Sequence, residues 1–450
     1  MLANIIKKEF LENLLNQRFA ISLVLAALIS WTSAFILTKN YNDEVKDYYR
    51  RVNLQNRMID DYFHLRGWDG GLMMPPKPAP KLSCLVQGIQ RGLTILGSID
   101  ENPVIVLFPF MDILFVIGMI MSIAALILSY DRLSGEKEAG TLRLLLVSSH
   151  GRAKLLLGKW VGGLLSVVII LVISLLGSVL IAYTLSESSW TSTEWVTLLA
   201  LFVLSMLYCA VFYSLGLVIS AKTHTPSDSI ILALVFWVLF TIILPTVPPY
   251  IANVLHPVPS PARVQYEAFV ILKQEEDAAI RKIQEPYYAK GMKDEEIRAM
   301  TKAEVDKIVA DYEDRADKLK TSAVRGSAKR EGITALLHLL SPFSSYALAG
   351  AELTATGALS QFDFYDKANR YVGILYRGYL PKKEEEAKRA DPNFTGTTKL
   401  DIRDRPGFQY QEESITSRLL ASAAHTAFLL IYTVLFFVLA WKAFLRYDVR

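Results

Sequence analysis

Residues 160–185 have the sequence WVGGLLSVVIILVISLLGSVLIAYTL, an apolar run without a charged residue. A helix needs about 20 such residues to cross a hydrocarbon core about 30 Å thick. The whole chain is 52% hydrophobic and 20% charged, and further apolar runs occupy residues 19–37, 104–130, 195–220, 230–251 and 419–445. The sequence therefore predicts an all-α polytopic membrane protein with six transmembrane helices, and it excludes a soluble enzyme and a disordered chain.

The short segments between these spans differ in their content of Lys and Arg. Basic residues are frequent before the first span, within residues 131–159 and after the last span, whereas residues 186–194 contain none. Because Lys and Arg favour the cytoplasmic side, both termini are expected in the cytoplasm. Residues 38–103 and 252–418 are then extracytoplasmic. The first apolar run is interpreted as an uncleaved anchor rather than a signal peptide, because acidic as well as basic residues precede it.

The second outer region is expected to be mainly helical. Residues 252–417 hold 51 of the chain's 92 charged residues. One helix is predicted for residues 263–284, and the Thr301–Glu304 spacing predicts a capping box at the start of another. One face of this second helix would carry Val305, Ile308, Val309, Tyr312, Ala316 and Leu319. The pair would form either a stalk or lid above the membrane, or a helical domain packed on itself.

Two apolar segments, residues 333–351 and the end of the fifth span, are not expected to form ordinary membrane-spanning helices throughout. Residues 333–351 are almost uncharged, but His338 and Pro342 make them a poor seventh span. An interfacial segment, a re-entrant segment or domain core is expected there instead. At the end of the fifth span, three prolines are expected to kink or stop the helix, namely Pro245, Pro248 and Pro249.

Residues 131–159, DRLSGEKEAGTLRLLLVSSHGRAKLLLGK, form a longer loop than a simple connection requires. Gly140 followed by Thr141 predicts that one short helix ends and another begins. Charges at the two ends of the loop flank an apolar patch at residues 144–147. On this pattern alone two interpretations stay open: a docking surface for a soluble cytoplasmic partner, or an amphipathic segment lying on the membrane.

The same loop resembles that of the ABC-2-type transporter permeases. The resemblance is carried by the E-x-E-x-G-T-L motif at residues 136–142, the Leu-rich turn after it, the basic Arg152, and Gly158-Lys159 at the entry to the next span. In that family the motif also lies between the second and third of six spans. The bulky region before the last span is similar to that of a subset of these permeases with a large extracytoplasmic insertion.

The family also has an amphipathic helix before the first span. Residues 1–18 would supply it here, as a cytoplasmic N-terminal helix. Its apolar stripe is imperfect, with Leu11 and Leu15 outside it, and consists of Leu2, Ile6, Phe10 and Leu14.

The resemblance implies a mechanism and its partners. Such permeases pair as homodimers or heterodimers, and each binds a separate cytoplasmic P-loop ATPase that carries ATP and Mg²⁺. It also implies a location in the bacterial cytoplasmic (inner) membrane. Glu136 and Glu138 would meet basic residues of the ATPase, and the Leu-rich turn would fill its groove. The coupling element as a whole would consist of Glu136, Glu138, Gly140, Thr141, Leu142, Leu144, Leu145, Arg152 and Lys159.

This chain is not expected to bind a nucleotide, a metal or nucleic acid itself. A phosphate-binding loop needs G-x-x-x-x-G-K-[ST], whereas Gly151 and Gly158 are too far apart and Trp160 follows Lys159. Two cysteines are too few for a structural zinc site. A net charge of +4 gives no reason to expect nucleic acid.

Two ionisable residues within predicted spans are candidates for a polar intramembrane site. Asp112 is either such a site or the N-cap of a helix, and His425 is either an interfacial residue or a substrate ligand. No paired groups for an intramembrane enzyme are present in the spans, so no catalytic residue is predicted. Two hypotheses remain. The chain is the transmembrane subunit of an ATP-driven exporter, or it is a membrane-anchored assembly factor that binds an extracytoplasmic partner through residues 252–418.

Overall fold

The structure is a computed structural model, and it describes residues 2–62, 74–88, 111–142, 151–391, 394 and 398–446. Its helices within these ranges are α1 (Leu2–Leu14), α2 (Gln17–Tyr62), α3 (Ile113–Ile127), α4 (Ser134–Glu138), α5 (Arg152–Leu185), α6 (Ser192–Lys222), α7 (Pro226–Val238), α8 (Leu244–Leu255), α9 (Pro261–Tyr266), α10 (Leu272–Tyr288), α11 (Asp294–His338), α12 (Pro342–Leu353), α13 (Ala358–Ile374), α14 (Leu380–Ala390) and α15 (Ile415–Leu445). Short π-helical segments lie within α3 (Val116–Met121) and after α7, α9 and α13 (Leu239–Ile243, Glu267–Ile271, Leu375–Tyr379). The described part of the chain is thus all-α, as predicted.

Five of the six predicted spans correspond to helices that are long and apolar enough to cross a membrane. They are α2, α5, α6, the segment Pro226–Leu255 and α15. The remaining prediction, residues 104–130, includes α3, but residues 104–110 lie outside the described part. At 1.5 Å per residue α3 is about 22 Å long, which is short for a span by itself. The second span therefore stays a prediction.

The first span is part of a much longer helix. The apolar run was expected to end at Leu37, yet α2 continues without a break to Tyr62. Residues 38–62 are polar but contain neither Gly nor Pro, so nothing in them interrupts a helix. Near its end, Ile59 packs into a small apolar cluster whose other buried members are Leu375, Leu380, Leu400 and Ile402.

The segment at residues 333–351 is not one continuous helix. α11 ends at His338, and the buried helix α12 begins at Pro342. Tyr346 of α12 stacks on Tyr208 of α6 with ring centroids 4.4 Å apart, and its hydroxyl lies 3.0 Å from Ser205 Oγ. Since α12 has 12 residues and is packed within the main apolar cluster, it belongs to the core of the helical bundle.

Residues 243–341 form a compact unit of their own, while the rest of the chain forms the other. Within this unit α10 and α11 pack side by side, and Arg315 forms an ion pair with Glu275 at 3.2 Å. The predicted apolar stripe from Val305 to Leu319 is half-buried, as expected of a packed face. The predicted start at Thr301 is wrong, because α11 begins at Asp294 and the Thr301 hydroxyl donates to the carbonyl of Ile297 inside the helix.

The prolines of the fifth span do not stop the helix. A π-helical segment at Leu239–Ile243 precedes Pro245, and α8 then runs through Pro248 and Pro249 to Leu255. The helix thus extends four residues beyond the predicted end of the span at residue 251. Pro245 lies in the first turn of α8, where a missing N–H costs little. Pro248 and Pro249 lie inside the helix, and the wider π-helical turn before Pro245 is the irregularity seen near them.

Candidate functional site

Lys159 lies near the start of α5 with a side chain that is only 2% exposed. Its ammonium donates hydrogen bonds to Glu9 Oε1 of α1 and to Glu136 Oε1 of α4, each at 2.7 Å. A buried ammonium is costly unless charged acceptors replace its water. Two carboxylates meet that need, so Lys159 ties together three helices that are distant in sequence.

Glu9 shares its charge with a second cation. Its other carboxylate oxygen lies 3.6 Å from the guanidinium of Arg132, whose side chain is 11% exposed. Arg132 also donates to the side-chain oxygen of Asn13 and, at 2.9 Å, to the carbonyl of Leu128. The buried face of α1 thus presents one carboxylate and one amide to the bundle.

A further ion pair lies beside this group. Arg18, near the start of α2, pairs with Asp131 at 2.5 Å, and Asp131 lies 4.0 Å from Arg132. We call the following six residues the junction cluster: Glu9, Arg18, Asp131, Arg132, Glu136 and Lys159. It contains three carboxylates and three cations, so its formal charge is zero. The cluster extends from the buried Lys159 and Glu9 to Arg18, which is 40% exposed. Balanced pairing offsets the cost of burying its inner charges.

Small residues on α5 let α1 come close enough to form the cluster. A Cβ at Gly162 would lie 2.8 Å from the backbone oxygen of Ile6 and 2.9 Å from Glu9 Cβ. A Cβ at Gly158 would lie 2.6 Å from a methyl carbon of Ile5. Two glycines four residues apart are a common means of close helix contact. Here they bring Glu9 within reach of Lys159.

The short helix α4 is held from its other side by the end of α6. The Lys137 ammonium donates to the carbonyls of Ala221 at 2.5 Å and Thr223 at 2.9 Å, and burial lowers the pKa of this lysine to about 8. The hydroxyl of Ser220 accepts from the backbone amides of Leu133 and Ser134. α4 is therefore attached to α5 through Glu136 and to α6 through Lys137.

The chain turns sharply where α4 ends. Gly140 has a φ of +71°, a left-handed conformation that favours glycine just after a helix. Helical conformation resumes at Thr141, as the Gly-Thr pair predicted. Glu138, Gly140 and Thr141 are exposed, whereas Leu142 is buried in the main core. The exposed turn is thus anchored on both sides by buried residues.

The remaining predicted site residues lie in several places. Arg152 donates to the carbonyl of Leu445 at 2.8 Å, near the end of α15. Leu144 and Leu145 lie outside the described residues. His425 is a half-buried residue of α15. Asp112 is the N-cap of α3 and accepts from the amide of Phe115 at 2.8 Å, which is the second of the two alternatives for this residue.

One feature of the sequence, the position of Glu9 in α1, indicates the junction cluster. The inward face of α1 includes the predicted stripe, and Leu11 and Leu15 are exposed as predicted. Glu9 lies on that same face, three residues after Ile6 and seven after Leu2. A carboxylate on the buried face of a helix is unfavourable unless a cation or hydrogen-bond donors lie next to it. Its partner, Lys159, was identified for another reason and is 150 residues away.

In the described residues, no group of three or more His, Cys, Asp or Glu side chains is placed to hold a metal ion. What the site offers is mechanical: an exposed turn at residues 138–141 joined by buried ion pairs to α1 and α5. The site is therefore a braced, exposed turn in an all-α membrane protein.

Comparison with known proteins identifies the class. The sequence matches the family model described as ABC-2 family transporter protein over residues 3–449. The chain therefore belongs to the ABC-2 transporter family, and it is a membrane permease subunit of the ABC-transporter kind.

Two relatives support the same assignment over shorter stretches. The chain is 34% identical to the probable ABC transporter permease protein NosY of Stutzerimonas stutzeri over 124 residues, which cover 28% of this chain and 45% of that protein. It is 54% identical to the probable ABC transporter permease protein NosY of Pseudomonas aeruginosa over 43 residues, 10% of this chain and 16% of the relative. The matches thus span less than half the length of either relative.

Proposed function

We propose that this chain is the transmembrane permease subunit of an ATP-driven exporter, in which ATP hydrolysis on a separate subunit moves cargo or an extracytoplasmic domain. The observation that carries the proposal is the exposed turn at residues 138–141, held by the junction cluster to helices that enter the bundle. In this function ATP and Mg²⁺ bind the partner ATPase, and the chain itself binds neither.

The contacts of α4 explain how force on the turn would reach the spans. A push on Glu138 or Thr141 acts on α4, which has five residues and little freedom of its own. Glu136 passes the displacement to Lys159 at the start of α5, and Lys159 passes it to Glu9 on α1. Because each link is a short charged hydrogen bond in a buried place, the three helices would move together.

The topology follows from the same proposal. The turn faces the cytoplasm together with both termini, in a bacterial inner membrane, which agrees with the distribution of Lys and Arg. A second permease, identical or related, completes the transporter. Residues 252–418 then lie outside the cytoplasm, where they would receive, extrude or hand over cargo.

The two acidic residues of the motif, Glu136 and Glu138, have different surroundings, so their substitution should have different effects. Both were expected to meet the ATPase. Glu136 instead contacts Lys159 of its own chain, whereas Glu138 is exposed. We therefore propose that Glu138 is the partner-facing acid and that Glu136 is a positioning residue.

The experiment is purification of the tagged full chain in mild detergent, with mass spectrometry of the proteins bound to it. A stoichiometric P-loop ATPase is expected with the wild type. In Glu138→Lys the ATPase should be lost or reduced about tenfold while the unfolding temperature stays unchanged. Glu136→Gln should lower the unfolding temperature as well. Glu12→Lys, at an exposed acid of α1, is the matched control and should retain the ATPase.

Two results would contradict the proposal. If the wild type purifies without an ATPase and with an extracytoplasmic protein instead, the chain is an assembly factor. If Glu138→Lys retains the ATPase as fully as Glu12→Lys, the turn is not the contact.

A further inference from the structure

A group of aromatic rings marks one end of α5 and the start of α6. Tyr183, Trp190 and Trp195 lie with ring centroids 5.6 to 5.7 Å apart in every pairing. Trp and Tyr collect at the membrane–water interface, where an apolar ring and a polar edge are both satisfied. We therefore expect the residues between these rings at the depth of lipid headgroups.

An open cleft of about 950 Å³ begins beside these rings, at residues 187–194, and extends along α2 as far as Tyr49. One wall is α2 just beyond the first span, another is the connection between α5 and α6, and the third leads into α15. Four tyrosines line it, namely Tyr41, Tyr48, Tyr49 and Tyr410. All these walls belong to the same compact unit of the chain.

The cleft contains charges of both signs. Its cations are Lys46, Lys81 and Arg418, and its carboxylates are Glu187, Glu194, Glu412 and Glu413. Lys46 pairs with Glu187 at 2.9 Å and Arg418 with Glu412 at 2.6 Å, whereas Lys81 is 3.7 Å from Glu194. Three cations against four carboxylates leave a formal charge of −1. Within the described ranges Glu413 has no ion-pair partner within 4 Å, although Arg418, Lys367 and Lys77 are near enough to interact with its charge.

One cation also has an unused donor. The Arg418 side chain is 4% exposed, and one guanidinium nitrogen donates to Glu412. Its buried Nε has no hydrogen-bond partner in the described part of the chain. Burying an N–H without an acceptor is unfavourable. Because this Nε is buried, an anion in the cleft would reach it only after the Arg418 side chain turns toward the open space.

We propose that this cleft binds the headgroup of a phospholipid that carries a primary amine on its phosphate, as phosphatidylethanolamine does. The phosphate would accept from Arg418 and Lys81, and the ammonium would donate to Glu413 beside the tyrosine rings. The site is separate from the ATPase contact and does not depend on it.

The chemistry of the lining selects among lipids. A quaternary ammonium has no N–H, so phosphatidylcholine cannot donate a hydrogen bond to Glu413. Phosphatidylglycerol has no cation to balance the cleft's negative charge. The depth marked by the aromatic rings favours a lipid over a soluble phosphate ester, since acyl chains would extend along the spans.

The test is binding of fluorescent lipids with identical acyl chains to the purified full chain in detergent. Phosphatidylethanolamine should bind about tenfold more tightly than phosphatidylcholine or phosphatidylglycerol. Glu413→Gln keeps the side-chain volume and should abolish the preference over phosphatidylcholine. Lys81→Gln should weaken both phosphatidylethanolamine and phosphatidylcholine. The control Glu385→Gln, at an exposed acid of α14 paired with Arg389, should change neither.

Several outcomes would overturn the proposal. If the wild type binds the three lipids equally, the proposal is wrong, and no variant is needed to show it. Full displacement of the lipid by soluble glycerophosphoethanolamine at a similar concentration would also overturn it, because the ligand would then be a free ester. An unchanged preference in folded Glu413→Gln would remove the ammonium contact.

Discussion

The two ends of α5 carry charge in opposite ways. At its start, the six charges of the junction cluster sum to zero, and each is paired with another of the six or lies within 4.0 Å of one. Beyond its end, the cleft is lined by three cations and four carboxylates around open space, and in the described ranges Glu413 has no ion-pair partner within 4 Å. Paired charges in a buried place fix the positions of helices, whereas an unbalanced and accessible group attracts a ligand. Lys, Arg and Glu side chains thus hold helices together at the start of α5, whereas beyond its end they line a cleft that can bind a ligand.

Removing the centre of the junction cluster should have the largest effect. Lys159→Met leaves Glu9 and Glu136 buried without their shared cation, which should lower the free energy of unfolding by about 3–5 kcal/mol. Tryptophan fluorescence of the purified protein during heating measures the change. Lys8→Met is the control, because Lys8 is 54% exposed and its pair with Glu12 is worth about 0.3–0.5 kcal/mol. Equal destabilisation by the two variants would show that the buried pairs brace nothing.

Displacing α1 without touching a charge should have an intermediate effect. Gly162→Leu places side-chain atoms where the backbone of Ile6 lies, so α1 should leave α5 at a cost of about 1–3 kcal/mol. An Ile5→Cys reporter should then react several-fold faster with a water-soluble maleimide. Gly373→Leu is the matched control, since nothing lies within 4 Å of a Cβ there.

One result would contradict the role given to Gly162. If the cysteine reacts at the same rate in both backgrounds, α1 does not depend on the glycine contact, and the cluster would have to hold it alone.

Much of the helical framework could be predicted from the sequence. Five spans follow from continuous apolar runs, and the end of α4 follows from Gly140, because both signals are local. The polar residues after the first span look helical, but their continuity with it as far as Tyr62 was not predicted, because hydropathy does not show where one helix continues into polar sequence. α12 was too short for any window to distinguish a buried helix from an interfacial one.

The site was harder to predict than the fold. The motif drew attention to Glu136 and Lys159, but their contact with Glu9 depends on how α1 packs against α5. Residues 9 and 159 are far apart in sequence, and nothing local says that they meet. The cleft beyond α5 combines residues from positions 41 to 418, each unremarkable in its own segment. Tertiary packing alone assembles it.

The smallest effect should come from titration beside the cleft. The Lys77 ammonium donates to Gln361 Oε1 at 2.8 Å, and burial lowers its pKa to about 8, although Glu412, Glu413 and Asp363 partly oppose the shift. The unfolded chain, with an ordinary lysine pKa near 10.4, binds more protons than the folded one between pH 8 and that value. Lys77 should therefore make stability rise with pH across this window.

Replacing this lysine should flatten the rise. Between pH 7.5 and pH 9.5 the unfolding temperature of Lys77→Met should rise less than that of the wild type. The corresponding difference in the free energy of unfolding should be about 1 kcal/mol or less, because the Lys77 side chain is only half-buried. Lys388→Met, at an exposed lysine paired with Glu384, should leave the wild-type slope unchanged. Identical slopes in the three proteins would mean that Lys77 keeps its ordinary proton affinity, and that the region beside the cleft is as well hydrated as an open surface.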